Sequence, residues 1–366
     1  VKHWLQNLND DEYGAAPAVT EDKTGTTDTQ TSAVARTDLT GYTVVTSGAK
    51  AWSQANIDGD GSTVVNIYYD RNRHDIKLYK DDSTTTKVTG DATDVKYGSE
   101  ITVSAEPKPG YHFVGWETLD GTPVSSDQTY IFTLGDEDVS LKAICEPDTN
   151  TPYTVEHWRE KPDGNGYELY EVENMTGTTD AKTAASARTW TGFTTNFDPA
   201  ADQKTISGDP NSRTVVQIYY ERLTYKLAVT GDENCSTVTG SADSVRYGQT
   251  VTISAAANRG YVFDHWEGDG AYVNAGTPAQ FTMPAYDLSL KAISVKAPLG
   301  IFVEPSEGGS AFVAKADDPE KSPVTTAQIG DNLVLVTTPD TGYELDTDNL
   351  KVTYLDEEGK THEVTL

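Results

Sequence analysis

Hydrophobic and polar residues alternate along many short stretches of this chain. In VVQIYY at 215–220, every second residue from Val216 onward falls on one face and the remaining residues fall on the other. ITVSA at 101–105 and VTISA at 251–255 alternate in the same way. A period of two predicts short β-strands with at least one buried face. Turn sequences rich in Gly, Pro, Asp and Asn separate these stretches.

A helix is expected at two places only. The stretches near 29–36 and 181–189, the second of which reads AKTAASART, have compositions that suit one short helix each. The predicted fold class is therefore mostly β.

Motifs that occur twice divide the chain into modules. VKHW at 1–4 recurs as VEHW at 155–158, and STVVNIYYDR at 62–71 recurs as RTVVQIYYER at 213–222, which defines a unit A. A second unit, B, follows each A, because VKYGSEITVSA and VSLKAI recur as VRYGQTVTISA and LSLKAI. The tail keeps GDNLVLVTTPDTGYEL and is interpreted as a divergent third B. The predicted modules are A1 (1–72), B1 (73–148), A2 (149–222), B2 (223–295) and B3 (296–366).

The junctions between modules differ in composition. DRNRHD at 70–75 and ERLT at 221–224 contain no Pro, Gly or Ser, which predicts stiff A–B joints. EPDTNTP at 146–152 is polar and bounded by prolines, and we expect a hinge there.

The motifs of unit A, VEHW, TGTTD, ART and TVVQIYYER, resemble the repeat first described in the B-repeat region of a Listeria internalin, which is related to mucin-binding-type repeats of Gram-positive surface proteins. Unit B, with YGQTVTISAAANRGYVFDHWEGDG and LSLKA, resembles the divergent version of that repeat. The resemblance implies an elongated A-B-A-B-B array of small modules, the A modules β-grasp-like and the B modules all-β. It implies an exported cell-surface protein, and stalks or adhesive segments without recognised catalytic residues.

Composition narrows the choice of partners. The chain of 366 residues has 28 Lys and Arg against 57 Asp and Glu, a formal charge of −29. Such an acidic surface repels phosphate backbones and anionic lipid, so we expect neither nucleic acid nor membrane insertion. No apolar run is long enough to span a bilayer. Because the sequence opens within a strand and without Met, we expect a fragment whose targeting and anchoring signals lie elsewhere.

The two cysteines are not expected to form a disulfide. Cys145 and Cys235 correspond to Ser294 and Thr85 in the sister copies, and a cross-link required by the fold would not be replaced by hydroxyls.

The Gly-Tyr and Trp residues of unit B raise the question of a binding site. GYHFVGWETLDG begins at Gly110, GYVFDHWEGDG begins at Gly260, and His112 in the first copy is replaced by Val262. Residues present in both copies favour a folding role, with Gly in a tight turn and aromatics in a thin core, over the alternative of a ligand site. By the same argument the predicted structural core contains Trp4, Trp158, Tyr111, Trp116, Tyr261 and Trp266.

Tryptophans that do not recur are the better candidates for ligand contact. Counted back from the shared TVV strand, Trp52 aligns with Gln203, and Trp190 aligns near Asp38 or Leu39. A flat ring that the fold does not require can stack on a sugar or anchor a protein interface. The alternative is that these rings pack against a neighbouring module.

Metal sites and catalytic sites are weakly indicated. NIDGDGS at 56–62 resembles the start of a calcium loop, with Asp58 and Asp60 as weak calcium candidates. The twelfth position is Ile67 rather than Glu, which favours a polar hairpin turn. His3 and His157 each precede a Trp without zinc-ligand spacing, and an isopeptide at Lys142 or Lys291 is disfavoured because alternation turns both lysines outward. We expect no catalytic residue and no cofactor.

These observations predict a non-catalytic repeat region of an exported bacterial cell-surface protein. The predicted role is a stalk or spacer that displays a distal domain. The alternative is an adhesin segment that binds host glycan, mucin or another host or bacterial surface protein. We expect a monomer located outside the cell, at the cell surface or in the cell wall.

Overall fold

A computed structural model describes residues 1–268, 276–355 and 360–364. These residues form 29 β-strands and contain no helix. It follows that no helix of the described residues could cross a membrane. The prediction of a mostly β chain built from several small sheets is confirmed.

Two compact units make up the chain, and the division between them runs through A2. Unit 1 consists of Val1–His157, Leu169–Ala187 and Phe197–Ile218. Unit 2 consists of Trp158–Glu168, Arg188–Asn196 and Tyr219–Leu366. A1 and B1 lie within unit 1, and B2 and B3 lie within unit 2. The five module boundaries themselves stay predictions.

A1 is built on one mixed sheet of four strands. The strands are β1 (Lys2–Leu5), β2 (Val19–Thr20), β3 (Tyr42–Val44) and β4 (Asn66–Arg71). Their order is β2-β1-β4-β3, with β1 parallel to β4 and the outer pairs antiparallel. Ile67 and Tyr69 of β4 are buried, because alternate residues of that strand face the core.

The helix expected near 29–36 is absent, and that prediction was wrong. The amide of Thr31 donates to the carbonyl of Ala55, and the side chain of Gln54 bonds both the amide and the carbonyl of Ala33. These backbone groups find partners on a neighbouring segment instead of one turn away, so the stretch is held extended.

B1 consists of two sheets that enclose one core. Its strands are β5 (Arg73–Tyr79), β6 (Thr85–Thr89), β7 (Ala92–Lys96), β8 (Glu100–Pro107), β9 (Tyr111–Thr118), β10 (Pro123–Ser125), β11 (Thr129–Thr133) and β12 (Val139–Pro147). The sheet orders are β10-β9-β12-β5-β7 and β11-β8-β6. Trp116 from the first sheet and Val103 from the second are fully buried in the same cluster.

A2 repeats the four-stranded sheet of A1. Its strands are β13 (Thr151–Glu160), β14 (Tyr167–Gly177), β15 (Phe193–Thr194) and β16 (Val215–Arg222), in the order β14-β13-β16-β15. The helix expected over 181–189 is likewise absent. Gln203 bonds the amide and carbonyl of Ala185, as Gln54 does for Ala33 in A1.

B2 repeats the two-sheet arrangement of B1. Its strands are β17 (Thr224–Gly231), β18 (Cys235–Thr239), β19 (Ala242–Arg246), β20 (Thr250–Ala257), β21 (Tyr261–Gly268), β22 (Ala279–Thr282) and β23 (Leu288–Lys296). The sheet orders are β19-β17-β23-β21 and β18-β20-β22.

The described residues of B3 form three two-stranded pairs, β24 with β26, β25 with β27 and β28 with β29. Its strands are β24 (Leu299–Gly300), β25 (Gly309–Lys315), β26 (Thr326–Ala327), β27 (Leu333–Pro339), β28 (Val352–Leu355) and β29 (Thr361–Val364). Its kinship with B1 and B2 stays a prediction.

Candidate functional sites

The joint between A1 and B1 is organised around Arg71, the last residue of β4. Its Nε donates to the carbonyl of Gln6 at 3.0 Å, and its Nη1 donates to the carbonyl of Tyr97 at 2.8 Å. The guanidinium also lies over the ring of Tyr42, 5.0 Å from its centroid. Arg71 thus bonds one carbonyl from each module, and bonds from a charged donor are among the stronger ones.

A glycine lets the two modules approach closely. Gly41 has φ +79°, and a Cβ added there would overlap the ring of Tyr97. Tyr42 and Tyr97 meet edge to face with centroids 6.0 Å apart. The amide of Asn72 donates to Gly41, and the amide of Tyr97 donates to Asn72. Any side chain at Gly41 would therefore separate A1 from B1.

The joint between A2 and B2 repeats this arrangement. Arg222 donates from Nε to the carbonyl of Glu160 at 2.7 Å and from Nη1 to that of Tyr247 at 2.8 Å. Its guanidinium lies 4.9 Å from the centroid of the Phe193 ring, and that ring meets Tyr247 edge to face. Gly192 has φ +79°, and a Cβ there would overlap Tyr247. We call the repeated set of Arg, Gly, aromatic and Tyr the arginine seam.

The first joint carries a polar network that the second lacks in this form. Asp136 of B1 accepts from the amide of Gly41 at 3.1 Å and from Nδ2 of Asn72 at 2.7 Å, and it pairs with His74 at 3.0 Å. The bonds from Asn72 and then His74 hold the pKa of Asp136 below its usual range. In the second joint, Leu223 occupies the position of Asn72, and Ala285 occupies the position of Asp136.

A basic residue of each B module also reaches back to its A module. Lys96 donates to the carbonyls of Asn7 and Asp10 and forms an ion pair with Asp11 at 3.0 Å. In the second joint Arg246 pairs with Glu160 at 3.1 Å.

The junction between B1 and A2, where a hinge is expected, is close-packed. A Cβ at Gly110 would overlap the Cα of Gly208. Thr151 and Thr179 are buried and share a hydrogen bond of 2.6 Å between their hydroxyls. The hydroxyl of Tyr111 donates to Asp180, which raises the pKa of Tyr111 to about 12. Within this polar stretch the carbonyl of Asp148 accepts from the amide of Thr179 at 2.9 Å, which bonds B1 to A2 across the junction.

The Gly-Tyr…Trp stretches of the B modules therefore have two roles. Trp116 and Trp266 are fully buried at the centre of their cores. Tyr111 and Tyr261 are half-buried at the turn that faces the next module, where Gly260 lies against Ile329 of B3. The tryptophans fill the core as predicted, whereas the Gly-Tyr pairs lie at the junctions.

Residues 78–149 and 225–294 each match the family model of the divergent InlB B-repeat domain. The B1 and B2 parts of the chain are thus similar to this repeat family. The resemblance predicted for the B modules is confirmed, and repeats of this family are typical of bacterial surface proteins. No curated protein matches the chain.

Each of the two matched regions contains one free cysteine, Cys145 in B1 and Cys235 in B2. In the first, Thr85 donates to Cys145 at 3.3 Å; in the second, the side chains of Cys235 and Ser294 lie 3.3 Å apart. Both modules thus pair a thiol with a hydroxyl at the same place. The thiol is on the last strand in B1 (β12) and on the second strand in B2 (β18).

Trp4 and Trp158, placed in the core by the sequence analysis, lie instead on the outer face of the A sheets. Both are half-buried, and the residues that precede them, His3 and His157, are fully buried. Alternation explains this, because neighbouring residues of a strand face opposite sides. Burial lowers the pKa of His3, whose Nδ1 lies 2.8 Å from the hydroxyl of Tyr69.

The outer tryptophans belong to an aromatic cluster that occurs in both A modules. Trp4 stacks on Tyr68, and Tyr13 meets Tyr68 edge to face. The equivalent rings of A2 are Trp158, Tyr219 and Tyr167. The sequence analysis missed this cluster, although its signal was present, since all three residues recur.

Trp52 and Trp190, the predicted ligand-binding residues, contact their own A modules. Trp52 is half-buried against the A1 core, and Trp190 packs on buried Tyr220 with Arg159 over its ring at 3.8 Å. The equivalent bonds of Gln54 and Gln203 show that the alignment of Trp52 with Gln203 was wrong. The amide of Tyr42 donates to the carbonyl of Leu39, and the amide of Phe193 donates to that of Trp190, so Leu39 is the residue of A1 equivalent to Trp190. The role of Trp52 and Trp190 in ligand binding stays a prediction.

Asp58 and Asp60 lie in a polar turn before β4. Asp60 accepts from the amide and hydroxyl of Ser62, and Asp58 accepts from the hydroxyl of Thr63 at 3.2 Å. Within the described part of the chain, no group of three or more His, Cys, Asp or Glu is placed to hold a metal ion.

Proposed function

We propose that this chain is a non-catalytic stalk or spacer of an exported bacterial cell-surface protein, which displays a distal domain. The observation that carries the proposal is the arginine seam, which occurs at both A–B joints with the same hydrogen bonds. A spacer must transmit position along its length, and a joint bonded through backbone carbonyls resists bending better than a solvated linker.

Several features support the proposal. The glycines at the seam let a tyrosine of the B module pack directly on the backbone of the A module. The interdomain contacts involve backbone groups, which hold their positions more rigidly than long surface side chains. The high negative charge favours solubility of an exposed repeat region.

Distances between spin labels on the whole chain test the spacer role. Cys145→Ser and Cys235→Thr provide a background without native thiols, because each change introduces the residue of the sister copy. Labels at Val64 and Lys87 span the first A–B joint, and labels at Glu168 and Thr237 span the second. We expect distance distributions as narrow as that of a control pair at Lys87 and Thr122 within B1. Broad distributions at both joints would contradict the proposal.

The adhesin alternative proposed Trp52 and Trp190 as its contact residues. Because both rings pack on their own modules, no observation at those positions favours ligand binding. Adhesion to a glycan, mucin or surface protein would have to use another surface of the chain.

A further inference from the structure

One turn of B3 is built like a turn of B2, and it aligns the strands around it. The amide of Tyr343 donates to the carbonyl of Asp340 at 2.9 Å, and in B2 the amide of Tyr261 donates to that of Asn258 at 3.0 Å. Each turn comes directly after a strand, β27 in B3 and β20 in B2. β27 pairs with β25, as β20 pairs with β18. β25 and β27 therefore correspond to β18 and β20.

A second shared turn identifies the B3 counterpart of β17. The amide of Asp331 donates to the carbonyl of Gln328 at 3.0 Å, and the amide of Gln249 donates to that of Arg246 at the same distance. The strand that leads into this turn is β26 in B3 and β19 in B2. β26 pairs antiparallel with β24, as β19 pairs with β17. By this order β24 corresponds to β17.

The pairing register extends this correspondence to single residues. In each module one residue pairs with the position just before the bonded carbonyl of the shared turn, and it is Leu299 of β24 in B3 and Tyr225 of β17 in B2. Two residues further along, Ile301 therefore corresponds to Leu227. Leu227 is buried in the core of B2, whereas Ile301 is half-buried.

B2 has a central strand that the described residues of B3 do not have. β23 lies between β17 and β21, parallel to the first and antiparallel to the second. It places Leu288, Leu290 and Ala292 in the core of B2. On the side of β24 away from β26, no strand is paired within the described residues of B3.

Strand structure and burial are reduced in B3 beside this position. β17 is eight residues long, whereas β24 is two residues long. Phe302, which follows β24, is 82% exposed, and Leu345, two residues beyond the shared turn, is 44% exposed. Within the described residues, Phe302 and Val303 form no backbone–backbone hydrogen bond. The buried hydrophobic residues among those described in B3 are Ala314 and Ala327. B3 thus has an unpaired backbone edge next to exposed apolar side chains, which is the arrangement that accepts an added strand.

We propose that B3 binds a β-strand donated by a partner polypeptide, which pairs with β24 as β23 pairs with β17. The chemistry of the donated strand follows from the strands that hold this place in B2 and B1, whose sequences LSLKAI and VSLKAI alternate apolar and polar residues. The backbone of the donated strand bonds the chain from Ile301 onward, and its apolar residues pack on Ile301 and Val303. This function is additional to the spacer role and does not depend on it. A second copy of the chain is the competing occupant.

Titration of the whole chain with a fluorescent peptide tests the proposal. The peptide has the sequence DLSLKAISVK of residues 287–296, and its fluorescence anisotropy reports binding. We expect saturable binding of one peptide per chain. A peptide with Leu288→Gln and Leu290→Gln, which changes the two leucines that are buried in B2, should bind about tenfold more weakly or worse. A matched peptide with Ser289→Gln and Val295→Gln, which changes two outward positions without changing the charge, should bind within about threefold of the first peptide.

Hydrogen exchange on the wild-type chain then locates the site. Bound peptide should slow amide exchange at 301–305, because the added strand bonds that backbone, and should leave exchange in β17 of B2 unchanged. Substitutions provide a second measurement. Val303→Gln changes the face of this segment on which Ile301 lies and should weaken peptide binding, whereas Phe302→Gln changes the opposite face and should not. Circular dichroism and thermal unfolding check that both variants are folded.

Four results would overturn the proposal. The first two are absence of saturable binding and equal binding of the two substituted peptides. The third is slowed exchange in β17 instead of 301–305, which would mean that the peptide replaces β23 of B2. The fourth is a dimer of the chain in sedimentation that the peptide dissociates, which would make a second copy the occupant. Because no spin-label distance enters these readouts, failure here would leave the spacer proposal standing.

Discussion

The two A–B joints are alike in their arginine seams and different in the contacts around them. Both use an arginine to bond one carbonyl from each module and a glycine to admit a tyrosine ring. The first joint adds the Asp136 network, whereas the second has Leu223 and Ala285 at the equivalent positions. The shared part therefore holds each A–B pair together, and the additions adjust how strongly the two modules are coupled.

The largest expected effect comes from removing the arginines. Arg222→Ala and Arg71→Ala each delete two hydrogen bonds from a charged donor and a cation–ring contact, which should lower the free energy of unfolding by about 2–4 kcal/mol. Arg222→Ala should broaden its spin-label distance distribution more than Arg71→Ala, because the first joint keeps the Asp136 network.

Arg213→Ala is the matched control for this comparison. Arg213 is an exposed arginine of A2 whose Nη2 donates to Asn174 at 3.2 Å and, at the longer distance of 3.4 Å, to the carbonyl of Tyr153 in the same module. Its loss should therefore change the free energy of urea unfolding by less than about 1 kcal/mol. Equal broadening in the two seam variants would show that the Asp136 network does not couple A1 to B1.

Substitution of the seam glycines by alanine should have the next largest effect on stability. Gly41→Ala and Gly192→Ala introduce a Cβ that overlaps a tyrosine ring at a residue with positive φ, and we expect a loss of about 2–3 kcal/mol in urea unfolding. Gly166→Ala separates the two causes, since Gly166 has φ +82° but open space around its Cβ position. If all three variants lose the same stability, overlap with the tyrosine contributes nothing.

Removing Asp136 should affect the first joint alone. Asp136→Ala gives B1 the residue that B2 has, and loss of its hydrogen bonds should cost about 1 kcal/mol. Because the folded pKa of Asp136 lies below the usual 3.8, its stabilisation is present above pH 3.8 and is lost as the pH falls through the folded value. Wild type should thus lose its advantage over Asp136→Ala in acid unfolding below about pH 4. A constant difference down to pH 2 would contradict this role.

Much of the fold was predictable, because alternating hydrophobic and polar residues and repeated motifs both indicate strands. The buried faces of β16 and β8 lie where the pattern places them, and Trp116 and Trp266 fill the B cores. Repetition alone could not separate core from surface. Trp4 and Trp158 recur because the outer cluster recurs, whereas Trp190 takes the place of Leu39 against the core of A2. The helices were wrongly expected because composition does not reveal that Gln54 and Gln203 bond the extended backbone.

The joints were only partly predictable. A lack of Pro, Gly and Ser predicted stiffness, and Arg71, Tyr97 and Gly41 all recur as Arg222, Tyr247 and Gly192. Their proximity depends on which strand ends meet, which the one-dimensional pattern does not contain. The Asp136 network joins residues from distant parts of the sequence and has no repeat to mark it.

The smallest expected effect comes from replacing Glu160 of the second joint by the residue at the equivalent position of the first joint, Gln6. Glu160→Gln gives A2 the residue found at Gln6, whose Oε1 accepts from the amide of Arg71 at 3.1 Å. The variant keeps this type of bond to Arg222 but loses the ion pair with Arg246, whose side chain is 42% exposed. We expect a loss below about 1 kcal/mol in urea unfolding. The loss should shrink at high salt, because ions screen exposed pairs. An equal loss at low and high salt would instead place the contribution of Glu160 in its bond to the amide of Arg222, which both joints share.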